Sequence, residues 1–293
     1  MQDLLGRVVD PLSGRTIPSV DAAVNANVCM QEPASALRPF VQRFVIVEFP
    51  VDRKLRLLPS TSFFAEFRFQ GESILDGGAK LPRAVISGLR DTATSRCYQK
   101  GCAILLIKFT EIGAMHFLRC PLDSFFNTTV PIENAFDCLP ELSLLSQKLA
   151  KADHHAKRIQ IAEKFVLDHV RNSTVDPIVS AAIRQIEERG ITVRMDELAR
   201  RIGLSQSALE RRFRRKIGTS PKRFASILRL KNAIRLGGRG LDFTSVAHSA
   251  GYTDQSHFIN DFKRVTGFSP ASFFRKSRIC KNAEFLQVAF AKN

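Results

Sequence analysis

The sequence predicts an α+β protein of two domains, with an N-terminal small β-barrel followed by helices and a C-terminal all-α domain. Three observations predict this: the length of the chain, a change in the spacing of its apolar residues, and an uneven distribution of charge. At 293 residues the chain is roughly twice the size of one average domain, and each half can bury its own core. Apolar residues make up 44% and charged residues 25%, which is typical of globular proteins.

The N-terminal part contains short runs of β-branched and aromatic residues separated by Gly, Pro and Asp. Such runs predict strands, and they occupy residues 40–49, 63–69, 84–89 and 102–109. Over residues 140–171 the apolar residues recur at helical spacing, which predicts one or two helices. Several short strands followed by helices fit a small barrel whose interior can hold a small ligand.

A short polar stretch at residues 172–177 interrupts two helical patterns and is interpreted as a linker. The predicted domains are therefore residues 1–172, β-rich to about residue 135, and residues 178–278, with a linker at 173–177 and a tail at 279–293. Most of the net charge of +16 follows the linker. Residues 176–293 hold 23 Lys+Arg against 10 Asp+Glu, a balance of +13. A basic domain joined to a nearly neutral one indicates a polyanion-binding module attached to a sensing or partner-binding module.

The C-terminal domain contains an internal repeat. Its two copies share small residues, a glycine, an apolar pair four residues apart and a Gly-x-Ser-Pro ending. The first copy has Ala199, Gly203, Leu209, Phe213 and Gly218-Thr-Ser-Pro221; the second has Ala247, Gly251, Phe258, Phe262 and Gly267-Phe-Ser-Pro270. The offset between the copies is 48 residues up to the glycine and 49 beyond it, so the second copy is one residue longer.

Each copy has the residues that a helix-turn-helix requires. In the first copy, Ala199 allows close approach of two helices, and Gly203 is expected to end the first helix with a positive φ. Ser205 offers a side-chain oxygen to cap the next helix, and Thr253 or Asp254 does so in the second copy. Residues 221–236 form a helical pattern that opens with proline. This connecting helix is a rod of ~24 Å, which could hold two reading helices about one DNA turn apart.

Residues 195–276 resemble the DNA-binding domain of the AraC/XylS family. The resemblance rests on the spacing of the first unit and the connecting helix, and on the segments Ala250-Gly-Tyr-Thr-Asp-Gln-Ser-His-Phe258, Phe262-Lys263 and Gly267-Phe-Ser-Pro270. It implies a transcription regulator that inserts recognition helices, at about 206–216 and 255–265, into successive major grooves. The N-terminal domain resembles the cupin-like sensing and dimerisation domains of such proteins less closely, through residues 57–62 and the 102–109 strand that leads into Gly113.

The face of each recognition helix opposite its apolar pair is expected to read the bases. Arg211 is central on the first such face, and arginine can bind guanine through two hydrogen bonds. On the second face, Asn260 can bind adenine in the same way. The predicted base-reading residues are Ser207, Glu210, Arg211, Arg214, Gln255, Ser256, His257 and Asn260. The predicted phosphate contacts, which position the duplex, are Ser205, Arg215, Ser220, Lys222, Arg223, Lys263 and Arg264.

The expected partners are double-stranded DNA, a small-molecule effector, a second copy of the chain and, for an activator, RNA polymerase. We expect a homodimer because residues 140–171 have more apolar positions than a small β domain is expected to cover, namely Leu142, Leu145, Leu149, Phe165 and Val166. No apolar run approaches the ~20 residues that span a bilayer, and no basic start precedes an apolar stretch, which predicts a cytoplasmic protein without membrane contact.

Neither a cofactor, nor a metal, nor an enzymatic activity is expected. The six cysteines form no CxxC pair, and only His116 precedes residue 150. Cys97 and Cys102 are close enough in sequence to form a redox pair, which stays an alternative. Two alternatives for the whole protein also remain: a regulator without a small-molecule effector, controlled by a protein partner or by its own abundance, and a DNA-modifying enzyme that docks through this module.

Overall fold

The computed structural model describes residues 19–21, 26–118, 120–136, 139–171, 176–189, 194–277 and 288–290. It is an α+β chain, with the sheets in the N-terminal part and the helix-turn-helix units in the C-terminal part. The described strands are β1 (Ser19–Asp21), β2 (Ala26–Gln31), β3 (Val41–Phe49), β4 (Arg53–Leu57), β5 (Phe64–Gln70), β6 (Ser73–Leu75), β7 (Ala84–Ser87), β8 (Thr94–Tyr98), β9 (Cys102–Phe109), β10 (Thr129–Pro131) and β11 (Val288–Phe290).

The strands form two antiparallel sheets. One has seven strands in the order β1-β2-β3-β9-β5-β7-β10, and the other has four in the order β11-β4-β8-β6. Side chains of both sheets share an apolar cluster that includes Val47, Phe49, Leu55 and Ile104. In the described part of the chain no strand pairing joins the two sheets, so the predicted closed barrel is not confirmed.

The four predicted strands are present as β3, β5, β7 and β9, each within one or two residues of its expected bounds. Five further strands between residues 26 and 131 were not predicted. The structure also pairs β11 with β4, which places part of the segment interpreted as a tail against the N-terminal sheet. The rest of residues 279–293, like residues 173–175 of the expected linker, lies outside the described residues.

The described helices are α1 (Leu139–Lys151), α2 (His155–His169), α3 (Pro177–Arg189), α4 (Met195–Arg201), α5 (Gln206–Ile217), α6 (Pro221–Gly238), α7 (Phe243–Ser249), α8 (Gln255–Thr266) and α9 (Pro270–Ser277). The pattern over 140–171 corresponds to α1 and α2. The connecting helix, α6, has 18 residues and is two residues longer than predicted. None of the described helices combines the length and the apolar character needed to cross a membrane.

The apolar residues of α1 and α2 pack on their own domain. Leu142, Leu145, Leu149 and Val166 are at most 3% exposed within the main core, and the ring of Phe165 lies 6.4 Å from that of Phe67. These side chains are covered by the seven-stranded sheet, so they do not form the surplus apolar surface on which the dimer expectation was based.

Two hydrophobic cores divide the C-terminal domain between them. The main core runs from the seven-stranded sheet through α1 to α5 and includes Phe224 and Ala225 at the start of α6. The second core holds α7, α8 and α9 with Leu230 and Ala233 of α6, and it includes Leu58 from the N-terminal part. The first helix-turn-helix unit therefore shares a core with the sheet domain, whereas the second unit has a core of its own.

A short 3-10 turn of the sheet domain, Leu122–Phe125, packs against α5. Leu122 is 2% exposed in the main core, and Gly218, which ends α5 with φ +99°, lies against its carbonyl group. A Cβ atom at position 218 would come within 2.8 Å of that carbonyl oxygen. Glycine at this position thus allows both the positive φ that ends the helix and the close approach of the two domains.

We predict that Gly218→Ala destabilises the protein more than Gly203→Ala does. Both glycines have a positive φ, +99° and +72°, so each alanine costs about 1–2 kcal/mol of backbone strain. Only position 218 adds a clash, because a Cβ at position 203 meets nothing within 4 Å. Urea unfolding of both variants measures the difference in the free energy of unfolding, and equal losses would contradict the domain contact.

Candidate nucleic-acid interface

The turns of the two repeats have the same hydrogen bond. In the first, the amide of Leu204 donates to the carbonyl of Ala199 at 2.9 Å, and in the second the amide of Tyr252 donates to the carbonyl of Ala247 at 2.9 Å. Gly203 has φ +72° and Gly251 has φ +80°, as expected for the end of the first helix of each unit. The internal repeat predicted from the sequence is therefore a repeat in structure.

Both recognition helices also begin and end alike. The side chain of Ser205 accepts a hydrogen bond from the amide of Ala208 at 3.3 Å, and that of Asp254 accepts one from the amide of His257 at 2.8 Å. These are the N-caps expected from the sequence, with Asp254 rather than Thr253 in the second unit. At the other end, the amides of Gly218 and Gly267 each donate to the carbonyl four residues earlier at 2.8 Å.

Each recognition helix buries one apolar stripe. Leu209 and Phe213 of α5 and Phe258 and Phe262 of α8 are all 0% exposed. Phe213 packs edge-on against Phe224 of α6, with ring centroids 5.5 Å apart. With these residues inward, the polar residues on the opposite face of each helix lie at the surface.

The predicted base-reading residues of α5 lie on its solvent side. Ser207, Arg211 and Arg214 are exposed, while Glu210 is half-buried at the flank. Glu210 accepts a hydrogen bond from Gln206 at 3.3 Å and forms an ion pair with Arg214 at 3.7 Å. Arg211 is thus the central exposed cation of this face.

The predicted base-reading residues of α8 are likewise exposed, and they are Gln255, Ser256, His257 and Asn260. The side-chain oxygen of Gln255 accepts a hydrogen bond from the hydroxyl of Thr244 at 3.0 Å. The ring of His257 contacts that of Tyr252 edge-on, with centroids 5.3 Å apart. Asn260 lies one helical turn beyond Ser256 on the same surface.

The predicted phosphate contacts have unequal surroundings. Ser205, Arg215, Lys222, Lys263 and Arg264 are exposed. Ser220 is 7% exposed, and its hydroxyl caps α6 by accepting from the amide of Arg223 at 3.3 Å. Arg223 is drawn towards the sheet domain, with an ion pair to Asp91 at 3.8 Å and its guanidinium 5.2 Å from the ring centre of Phe126.

A charged cluster that the sequence did not reveal holds α8 on the connecting helix. Asp261 pairs with Arg229 of α6 at 3.6 Å and with Arg264 at 2.6 Å, and it accepts a hydrogen bond from the Tyr252 hydroxyl at 3.3 Å. The guanidinium of Arg229 lies 4.3 Å from the centre of the Tyr252 ring. Burial, with the nearby charge of Asp261, raises the pKa of the Tyr252 hydroxyl, so Tyr252 stays neutral.

A second ion pair connects α5 to the start of α3. Arg212 donates to Asp176 at 2.6 Å, and Asp176 is 8% exposed. Burial acts to raise the pKa of Asp176, but hydrogen bonds from Arg212 and from the amides of Val179 and Ile178 hold that pKa below its usual value. Arg212 is therefore used to orient α5, in agreement with its position at the flank of the buried stripe.

The sheet domain lies beside the reading face of α5. An open groove of about 500 Å³ runs between Pro121 and Asp123 on one side and Arg211, Arg214 and Arg215 on the other. The carboxylate of Asp123 is exposed. Because Asp123 is more than eighty residues from α5 in sequence, no local pattern could have placed it here.

The described residues contain no group of three or more His, Cys, Asp or Glu side chains arranged to hold a metal ion. Cys97 and Cys102 are both free thiols. Burial, followed by the charge of Glu66, raises the pKa of Cys102 to about 12, so this thiol stays protonated and unreactive at neutral pH.

Comparison with known families agrees with this geometry. Residues 198–276 match the family described as a helix-turn-helix domain, and residues 178–217 match the one described as bacterial regulatory proteins of the tetR family. The first match covers both turns and both recognition helices. Residues 198–276 form an AraC-type helix-turn-helix domain. The resemblance stated for residues 195–276 is thereby confirmed.

Two curated regulatory proteins are similar to part of the chain. The chain is 28% identical over 117 residues to the Msm operon regulatory protein of Streptococcus mutans, covering 39% of this chain and 42% of that protein. It is 38% identical over 82 residues to the raffinose operon regulatory protein RafR of Pediococcus pentosaceus, covering 28% and 29%. The chain thus matches less than half the length of either relative. Both relatives are named as regulatory proteins.

A solved structure is similar to part of the chain. It is a transcriptional regulator with an AraC-type DNA-binding domain from Chromobacterium violaceum, 24% identical, with a TM-score of 0.32. The similarity covers 35% of this chain and 92% of that one.

We predict that Asp261→Asn lowers the free energy of unfolding by about 3 kcal/mol, because it leaves the buried charge of Arg229 without a counter-ion. Guanidinium denaturation measures the loss. The matched control is Glu210→Gln in the equivalent helix of the first unit, whose ion pair is more exposed and should contribute about 0.5 kcal/mol or less. A loss at position 261 no larger than that at position 210 would contradict the role assigned to this cluster.

Proposed function

We propose that the protein is a sequence-specific, DNA-binding transcription regulator that inserts α5 and α8 into successive major grooves. The observation that supports this most is the repeat itself. Each unit buries its apolar stripe completely and presents a polar face that includes exposed cations to solvent. At 1.5 Å per residue, the 18 residues of α6 form a rod of ~27 Å between the units, and successive major grooves on one side of B-DNA lie ~34 Å apart.

Base reading is assigned to the exposed faces. Arg211 has the position and chemistry for a two-bond contact with guanine, and Asn260 for a two-bond contact with adenine. The remaining readers are the residues already named, with Glu210 the least available because it is half-buried and paired with Arg214. The N-cap side chains occupy one amide at the start of each helix, and the other amides of the first turn can donate to a phosphate oxygen.

Phosphate contacts are assigned to the exposed cations Arg215, Lys222, Lys263 and Arg264, together with the capping residue Ser205. Ser220 is buried, so the phosphate contact predicted for its hydroxyl is assigned to the backbone at the start of α6 instead. Arg223 reaches a phosphate only if its ion pair with Asp91 opens. These contacts fix the register of the protein on the duplex without conveying sequence.

The sheet domain, residues 1–172 in our division, is proposed to sense a small-molecule effector. A cavity between its two sheets supports this, because small-molecule sites are concave, mostly apolar and hold a few polar groups. We propose the AraC-type domain, residues 178–278, as the output. RNA polymerase is the further partner if the protein activates transcription. The cavity favours a regulator with an effector over one without, and a DNA-modifying enzyme that uses a metal ion has no support from the described residues, which contain no cluster arranged to hold one.

We predict that Arg211→Ala and Asn260→Ala each relax sequence preference at a separate position of the binding site, about one helical turn of DNA apart. Each should cost about 1–3 kcal/mol on the selected sequence and much less on random DNA. Selection from a random oligonucleotide library followed by binding titrations measures this. Lys222→Ala is the matched control, since loss of a phosphate contact lowers affinity for both DNAs alike and reduces the salt dependence of binding.

A regulator that showed no preference for any sequence in this selection would contradict the proposed function. Binding whose affinity did not fall between about 50 and about 200 mM salt would contradict the electrostatic part of it. Equal losses of Arg211→Ala on selected and random DNA would reassign that residue to a phosphate contact.

The homodimer stays a prediction, and it now depends on a different surface. Leu144 of α1 is 48% exposed in a groove between α1 and α2 that Ile161 also lines. We expect the full chain to be a dimer by light scattering at micromolar concentration and Leu144→Glu to be a monomer. Leu167→Glu, which is 42% exposed outside this groove, is the matched control and should remain dimeric. A monomeric unmodified chain, free and on DNA, would contradict the prediction.

A further inference from the structure

A cavity of about 60 Å³ lies between the two sheets. Its walls are mostly apolar and come from both sheets, with Val47 and Ile104 from the larger sheet and Leu55 from the smaller. On the same measure a single water needs about 10–15 Å³, so the cavity has room for on the order of five non-hydrogen atoms. This is enough for a small organic molecule with a short apolar part.

A buried ion pair between the two sheets lines the cavity. Glu66 of β5 bonds Arg96 of β8, and their side chains are only 5% and 4% exposed. Burial acts to lower the pKa of Arg96, but the nearby charge of Glu66 outweighs this effect and raises that pKa, so Arg96 stays charged and is balanced by Glu66. The Nε–H of Arg96 has no hydrogen-bond partner in the part of the chain that the structure describes.

Arg90 also lines the cavity, and it is a buried cation with no carboxylate partner among the described residues. It is 7% exposed, and its guanidinium donates to neutral oxygens: the Thr94 hydroxyl at 3.1 Å, the Thr128 carbonyl at 3.4 Å and the Thr129 hydroxyl. No carboxylate of the described residues forms an ion pair with it. Burial, and then the charge of Arg96, lower the pKa of Arg90 to about 10. It remains charged at neutral pH, so the cavity wall has a net charge of about one positive unit.

A buried charge is costly unless it is paired, so this arrangement favours an anion that enters from outside the chain. We propose that the cavity binds a small carboxylic acid whose carboxylate pairs with Arg90 and whose short aliphatic part packs against Ile104 and Leu106. Arginine and a carboxylate can form two parallel hydrogen bonds, which also orients the ligand. That this acid acts as an effector rests on the proposed function; that it binds does not.

The position of Arg90 connects the cavity to both DNA-reading units. The next residue, Asp91, pairs with Arg223 at the start of α6 at 3.8 Å and accepts a hydrogen bond from Asn127 at 2.8 Å. The amide of Ala93 donates to the carbonyl of Val265 in α8 at 3.0 Å. A ligand held by Arg90 therefore stabilises the segment 90–94 that contacts the two units, and it couples to their position through these bonds.

The test uses the full-length chain and thermal unfolding with two matched series of probes. The first series is propanoate, butanoate and pentanoate; the second is the corresponding amides, which have the same shape without the charge. We expect at least one acid to raise the Tm with increasing concentration and its amide to leave the Tm unchanged. Arg90→Met should abolish the shift. Arg83→Met, which removes an exposed arginine of the same domain, should retain it.

A second variant keeps the test decisive if Arg90→Met does not fold. Leu106→Phe retains Arg90 and fills the cavity, so it should also abolish the shift. The proposal is overturned if no acid in the series raises the Tm of the unmodified chain, if acids and amides act alike, or if the Leu106→Phe variant responds as the unmodified chain does. DNA binding is measured separately on the same samples. A chain that binds the acid but no DNA refutes the proposed function and leaves the site intact.

Discussion

The complete burial of one apolar pair in each recognition helix determines which residues can meet DNA. Leu209 with Phe213, and Phe258 with Phe262, are four residues apart and fully buried. Since four residues are close to one helical turn, each pair fixes the rotation of its helix about its own axis. Burying two such side chains contributes about 3–6 kcal/mol, whereas an exposed polar residue contributes little to stability. The reading face can therefore vary with the DNA sequence while the helix stays in place.

The division into two cores gives the two reading units different relations to the sheet domain. The first unit shares the main core and contacts the sheet domain through Leu122 and Gly218, so separating them exposes apolar surface. The second unit has its own core, which includes Leu58, and touches the sheet domain through Ala93. A change in the sheet domain would thus act on the first unit through packing and on the second through a few local contacts. The connecting helix contributes side chains to both cores, so a movement of one core relative to the other would act through this helix.

The sequence pattern predicted the strands that are mainly apolar runs, and it failed for strands in which charged residues interrupt the apolar ones. The strands β3, β5, β7 and β9 are apolar runs, whereas β4 and β8 contain several arginines, and one of them, Arg96, is buried. The exposed faces of α5 and α8 followed from their buried pairs. The surroundings of Ser220 and Arg223 did not, because Asp91 and Phe126 reach Arg223 from about a hundred residues away.

The count of 23 Lys and Arg in residues 176–293 overstates the number of cations available to a DNA phosphate. Arg212 is neutralised by Asp176, and Arg229 shares Asp261 with Arg264. Arg212 and Arg229 hold the helices in place, and releasing them for DNA would cost the ion pairs that orient the reading faces. In the described chain, Arg211 and Lys263 form no such pairs and lie on the reading helices themselves. Both cations therefore stay available on the surface that α5 and α8 would present to the grooves.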